Sequence, residues 1–473
     1  MEKTKGELLQ EQLFLKSENA TITMSDEELQ KAQDFCEPYK KFMSAAKIEN
    51  EAVKITVEML ENKGYRAYEP GKKYAPGERF YYSNRGRALI FGTMGSRPIE
   101  QGVKIIAAHI DSPRLDLKQR PVYEKDEIAM LKTHYYGGVR KYQWVARALA
   151  LHGDVYKKDG SVVHVTIGED ENDPVFMVSD LLPHLAADQN QRTLADGIKG
   201  EELNVIIGSR AFKDDKVSEK VKLNILNILF EKYGIIEGDF LSAELTVVPA
   251  GKARDIGVDR SLIGSYGHDD RVCAYTALMA ELDYTEADPE WTSVVVFADK
   301  EEVGSDSNTG LHSSFLKYFI ADLAEPFGVP VRKVLSNSKC LSADVSAAFD
   351  PTFPEPFERR NSSFLNYGVC IVKYTGARGK SGTNDCYAKF AGDVRRAMDE
   401  AGVIWQTGEL GKVDQGGGGT VAKFISALNV DVIDIGVPVL AMHSPFEIVA
   451  KTDVYMAYRA FYEFLKADIN FEK

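Results

Sequence analysis

The stretch Asp299-Lys300-Glu301-Glu302-Val303-Gly304-Ser305 follows the apolar, β-branched run 294–298. Such a run reads as a buried strand. Burying the four charges after it without partners costs several kcal/mol, so they belong at a strand end, facing solvent or a metal ion. Glu301 and Glu302 repel each other, and a cation relieves that repulsion. Neighbouring strand residues point to opposite sides, so one carboxylate can bind metal while the other handles a proton.

Other stretches end in the same kind of chemistry. His109-Ile110-Asp111 closes the apolar run 103–108. Residues i and i+2 on a strand share a face, so Asp111 is expected to reach the His109 ring and set its tautomer. Asp269 and Asp270 follow Gly264-Ser265-Tyr266-Gly267-His268 and open a predicted helix, whose dipole favours anions. Asp344 stands alone among small and apolar residues, and His443 follows the core strand 430–438. In the glycine loop 415–420, the amides around Gly419 and Thr420 can hold an anion or a peptide oxygen. Gly379-Lys380-Ser381 is not a phosphate loop, because the first glycine of that pattern falls on Tyr374.

His109, Asp269, Glu302, Asp344 and His443 together supply two imidazoles and three carboxylates. That set suits divalent ions, zinc first. With one bridging carboxylate it can hold two ions about 3.5–4 Å apart. Glu301 is then left over beside a ligand, as a candidate general base.

The elements that must position these residues are an α/β alternation, in which ligands bind outside the carboxyl ends of the strands. Ser25 and Glu28 form a capping box for a helix running to about residue 62, with a break expected at Pro38 and a stop at Gly64. Residues 79–82 and 88–92 read as a hairpin-like pair. From about residue 118 to 254 short alternating segments and one helix, 220–233, replace the α/β texture, which reads as an inserted module. The chain has 473 residues, 44% hydrophobic, with net charge −13, enough for a large core and two domains. Its acidity argues against nucleic-acid partners and anionic membranes. No apolar run approaches the roughly 20 residues of a membrane span, and no signal-peptide core follows the N-terminus. Five scattered cysteines read as reduced core residues of a cytoplasmic protein.

The stretches 107–115, 299–305, 342–344 and 441–444 resemble the M18 family of metalloaminopeptidases, the aspartyl aminopeptidases, and the likeness runs over nearly the whole chain. The resemblance implies a zinc-peptidase-like mixed sheet flanked by helices, residues 1–117 and 256–473, interrupted by a β-rich dimerisation domain, 118–255. It implies two divalent ions, zinc or else cobalt or manganese. One ion takes His109 and Asp344, the other Glu302 and His443, and Asp269 bridges them. Asp111 orients His109, and Glu301 is the general base. The substrates are peptides with a free N-terminus, and family members assemble from dimers into tetrahedral dodecamers. Lys373 matches a family lysine suited to acidic side chains, and His184 matches one of two insert histidines, the second of which is thought to reach a neighbouring subunit's site. Ala347, Asp188 and the 379–381 region depart from the family pattern, which leaves a preference for Asp or Glu open. The rival readings are a related dinuclear deacylase or carboxypeptidase, and a catalytically silent shell-forming protein.

Overall fold

The computed structural model describes residues 3–469. Its central sheet has nine strands in the order Arg66–Ala67, Arg79–Asn84, Ala88–Thr93, Ser293–Ala298, Lys104–His109, Lys339–Ala343, Asp431–Gly436, Val369–Val372, Trp405–Thr407. The four strands from Ser293–Ala298 to Asp431–Gly436 are mutually parallel. Every residue of Lys104–His109 and Ser293–Ala298 is buried, as strands covered on both faces require. Alternate residues serve different cores. Ile106, Ala108, Val295 and Phe297 pack with helices His268–Tyr284 and Lys451–Lys466. Ile105, Ala107, Val294 and Val296 pack with helix Phe315–Ala324 on the opposite face. Parallel strands bring their carboxyl ends to one edge, and His109, Glu301, Glu302 and Asp344 all leave from it.

A second, five-stranded sheet was not expected. Its order is Arg254–Ile256, Leu262–Ser265, Glu447–Ala450, Pro438–Leu440, Ser346–Ala347. The sequence offered Gly264-Ser265-Tyr266-Gly267-His268 only as the lead into the helix of Asp269. Strands of two to four residues are too short to show a period.

A third sheet has seven strands in the order Val162–Ile167, Leu149–Tyr156, Ala243–Pro249, Arg114–Lys125, Ile128–Tyr136, Val205–Gly208, Met177–Val178. All its pairings are antiparallel, and it encloses its own apolar core. Helix Lys220–Tyr233 stands where the sequence predicted it, yet of its residues only Val221 is buried.

The expected break at Pro38 is corrected. Helix Asp26–Ala45 runs through that proline, and the chain breaks instead before helix Glu49–Asn62. Lys47 there is buried, its Nζ donating to the carbonyls of Pro249 and Gly251. Those long-range contacts, rather than local sequence, place the bend. Among the described residues no helix is long and apolar enough to cross a membrane.

Candidate metal centre

His109 ends its strand opposite Ala298, the last residue of the strand that leads to Glu301. Asp269 enters from the small sheet, at the start of helix His268–Tyr284. It follows Gly267, which has φ +73° and where a Cβ would lie 1.5 Å from the Arg271 guanidinium. Only glycine fits there. The Asp269–Asp270 peptide is cis. His443 sits in the turn between strands Pro438–Leu440 and Glu447–Ala450.

These residues meet at Asp269. Its Oδ1 lies 3.1 Å from His109 Nε2, and its Oδ2 lies 3.1 Å from His443 Nε2. Asp344 Oδ1 is 3.8 Å from His109 Nε2, and Glu302 Oε2 is 3.4 Å from His443 Nε2. Two groups of ligand atoms result, His109-Asp269-Asp344 and Asp269-Glu302-His443, each within 4.8 Å and both sharing Asp269. Asp269 Oδ1 and Glu302 Oε1 are buried with no hydrogen-bond partner. Buried polar atoms are normally satisfied, so the donor set fits a pair of cations.

The electrostatics agree. Burial drives Glu302 well above the usual carboxylate range, and Asp269 adds to the rise. Burial, with Asp344 and Asp111 opposing His109, pushes Glu301 up to about 8. Burial alone would lower His443, but its contact with Asp269 and the charge of Glu302 raise it to about 10. For Asp269 burial acts upward, and the two imidazoles facing its oxygens hold it below its ordinary value. Glu301 Oε2 stands 4.0 Å from His109 Nε2, beside both groups and a member of neither.

Asp111 faces the His109 ring chiefly through its backbone. His109 Nδ1 lies 3.0 Å from the backbone carbonyl of Asp111, while the Asp111 carboxylate is 3.5 Å from the ring. That carboxylate accepts from the amides of Glu301 and Glu302 and from the Tyr136 hydroxyl, at 3.1, 3.2 and 2.6 Å. It therefore ties the strand end of His109 to the turn carrying both glutamates.

Three contributors had no sequence-level role. Glu447 accepts from the amides of His443 and Asp269, at 2.7 and 3.1 Å. Tyr136 closes the Asp111 network. The Gly138 carbonyl, in the loop after strand Ile128–Tyr136, lies 3.0 Å from His443 Nδ1 and so leaves Nε2 facing Asp269. A Cβ on Gly138 would meet that ring at 3.0 Å. The Gly137-Gly138 pair was the visible signal.

The centre opens into a cavity of about 530 Å³. Gly419 and Thr420 line it, and the Thr420 hydroxyl donates to buried Asp434 at 2.6 Å. Val345, Ala347, Val372, Leu410, Phe424 and Met442 give it apolar walls, into which Lys423 brings a positive charge. Lys373 does not reach this cavity; its Nζ pairs with Asp385 at 2.8 Å and it borders a separate hollow. His184 lies exposed in a short 3-10 turn of the insert, also away from the cavity lining.

The profile of the Aminopeptidase I zinc metalloproteases (M18) matches residues 42–465. The chain belongs to the M18 family. It is 48% identical to the probable M18 family aminopeptidase 1 of Clostridium acetobutylicum, over 96% of this chain and 99% of that protein. The crystal structure of the M18 aminopeptidase of Thermotoga maritima superimposes with TM-score 0.90 at 43% identity, covering 96% of this chain and 99% of the other. A yeast aminopeptidase 1 dodecamer, 21% identical, shares the fold with TM-score 0.74 over 92% of this chain and 96% of that one. As an M18 zinc metalloprotease the chain is a hydrolase acting on peptide N-termini, with its ligand-rich centre at the strand ends.

Proposed function

We propose that the enzyme is a dinuclear aminopeptidase. His109 and Asp344 hold one ion, Glu302 and His443 the other, and Asp269 bridges. The observation that carries this reading is that the two oxygens of Asp269 face two different imidazoles. Zinc suits the donors, and cobalt or manganese fits the same set. When bound, the ions supply Lewis acidity, lowering the pKa of a water and offsetting charge that develops on the scissile carbonyl oxygen.

The chain's own residues do the rest. Glu301 takes the proton of the attacking water and passes it to the leaving amine. Among the described residues its carboxylate accepts no hydrogen bond, which leaves it available for a proton. Asp111 fixes Glu301 through the backbone and turns His109. Gly419 and Thr420 offer backbone groups to the peptide in a loop that Asp434 anchors. Lys423 stands in the otherwise apolar walls and Lys373 engages Asp385 outside the cavity, so the lining takes a neutral N-terminal side chain and offers an acidic one a single lysine.

Residues 118–255 serve as the dimerisation module. Ile228 and Phe230 on helix Lys220–Tyr233, and Leu181, Leu182 and Leu185 around His184, are exposed and apolar, as a face covered in an assembly would be. Dimers then build a tetrahedral dodecamer, with His184 on the surface that meets a neighbouring subunit. Five buried, unpaired cysteines suit a cytoplasmic setting.

The test pairs metal analysis with kinetics. We expect two ions per chain, and Glu301→Gln to keep both while kcat falls about 10³-fold. One ion per chain would sink the dinuclear reading. Parallel loss of metal and activity in Glu301→Gln would make that residue a ligand.

A further inference from the structure

Between the seven-stranded sheet and the loop carrying His443 lies another cavity, of about 280 Å³. Lys47, Arg147, Lys252 and Arg254 line it, none of its lining residues is acidic, and Pro445 and Phe446 close it. The chain has net charge −13, so carboxylates are not scarce. Even so, among the described residues Arg147, Lys252 and Arg254 form no ion pair. Arg147 Nε is buried with no hydrogen-bond partner, and burial holds that guanidinium below its ordinary value. Behind the cavity, Arg271 is fully buried over the Tyr266 ring at 5.1 Å. It donates to the carbonyls of Lys47 and Gly267, and among the described residues it pairs with no carboxylate.

Two acids near the group do not neutralise it. Glu169 lies 3.7 Å from Lys47 Nζ but is shared with His152 at 3.1 Å. Asp170 feels the charge of Lys252. Neither lines the cavity. Lys252 and Arg254 are exposed, but Arg147 is half-buried with its Nε shut away from water; a desolvated cation without a counter-charge is costly, and the planar donors of arginine match the oxygens of a tetrahedral oxyanion.

We propose that this cavity binds a small polyvalent oxyanion of the phosphate or sulfate class, held by Arg147, Lys252 and Arg254. The ion joins Arg147, just before strand Leu149–Tyr156, to Lys252 and Arg254, just beyond strand Ala243–Pro249. The cavity is smaller than those that enclose drug-sized ligands, which favours a compact ion over a nucleotide.

The metal-loaded full-length protein is titrated with sodium phosphate, and separately with sodium sulfate, at ionic strength held constant with chloride. Thermal melting and calorimetry follow binding. The expected result is saturable stabilisation by both ions. Arg147→Gln weakens it at least tenfold, and Lys252→Gln, at an exposed position, at least threefold, with aminopeptidase turnover in the absence of the oxyanions unchanged. Equal affinity in Arg147→Gln, Lys252→Gln and the native protein would overturn the proposal, since the ions would then be binding at the metal centre. So would the absence of saturation. Stabilisation that follows protein concentration rather than phosphate would assign the basic group to a neighbouring copy's carboxylate, and would also overturn it.

Discussion

Asp269 is a small side chain with two distinct partners, because its oxygens diverge toward His109 and His443. Glu281, farther along the same helix, shows buried-carboxylate physics without a metal. It is fully buried, accepts from Tyr65 and Thr93 at 3.0 and 2.8 Å, and burial raises it to about 7. Its folded pKa exceeds its unfolded value, so its contribution to stability is full below about pH 4.5 and is lost as pH rises to about 7. We expect Glu281→Gln to remove that dependence. Chemical denaturation at pH 5 and pH 8 should show the variant gaining on the native protein by roughly 1.4 kcal/mol per pH unit across the window. A difference that does not change with pH would show that Glu281 is already ionised when folded at pH 5. At this scale the residue types at the strand ends were legible. The distribution of Asp111's hydrogen bonds was not, because Glu301, Glu302 and Tyr136 reach it from remote segments.

The parallel strands act as an alignment device. Their common direction turns four separate segments into one edge of functional groups, and their β-branched runs announced them. The small sheet acts as a clamp, and it was invisible in sequence because its strands are so short. Glu447 does the clamping, holding the amides of His443 and Asp269 with its two oxygens. Glu447→Gln keeps one good acceptor and turns the other into a donor facing an amide. Metal affinity is expected to fall about 10–100-fold, as it does when groups that orient ligands are removed. Competition with a chelator measures this. Unchanged affinity would mean that the strand alone positions the loop. The Gly137-Gly138 loop shows the same coupling from the other side, since the sheet of residues 114–249 delivers a carbonyl to His443.

At the scale of the molecule, the inserted sheet both completes the metal centre and carries the exposed apolar helix Lys220–Tyr233. Phe230→Asp, at a side chain 56% exposed in the monomer, is expected to shift the protein to a smaller assembly in light scattering, with each chain still folded by circular dichroism. Retention of the native mass would move the interface elsewhere. Read alone, the amino-acid sequence determined the kind of chemistry and the α/β class, and it offered the imidazoles and carboxylates that the fold brings together. Those are local properties, written in residue type, period and spacing. Only the tertiary structure decided which oxygen faces which imidazole, that Glu447 and Gly138 hold the ligands, that Lys373 turns to Asp385, and that four cations surround a cavity without an acid. Such pairings join residues far apart in the chain, and a period of two or 3.6 residues carries no information about partners at that separation.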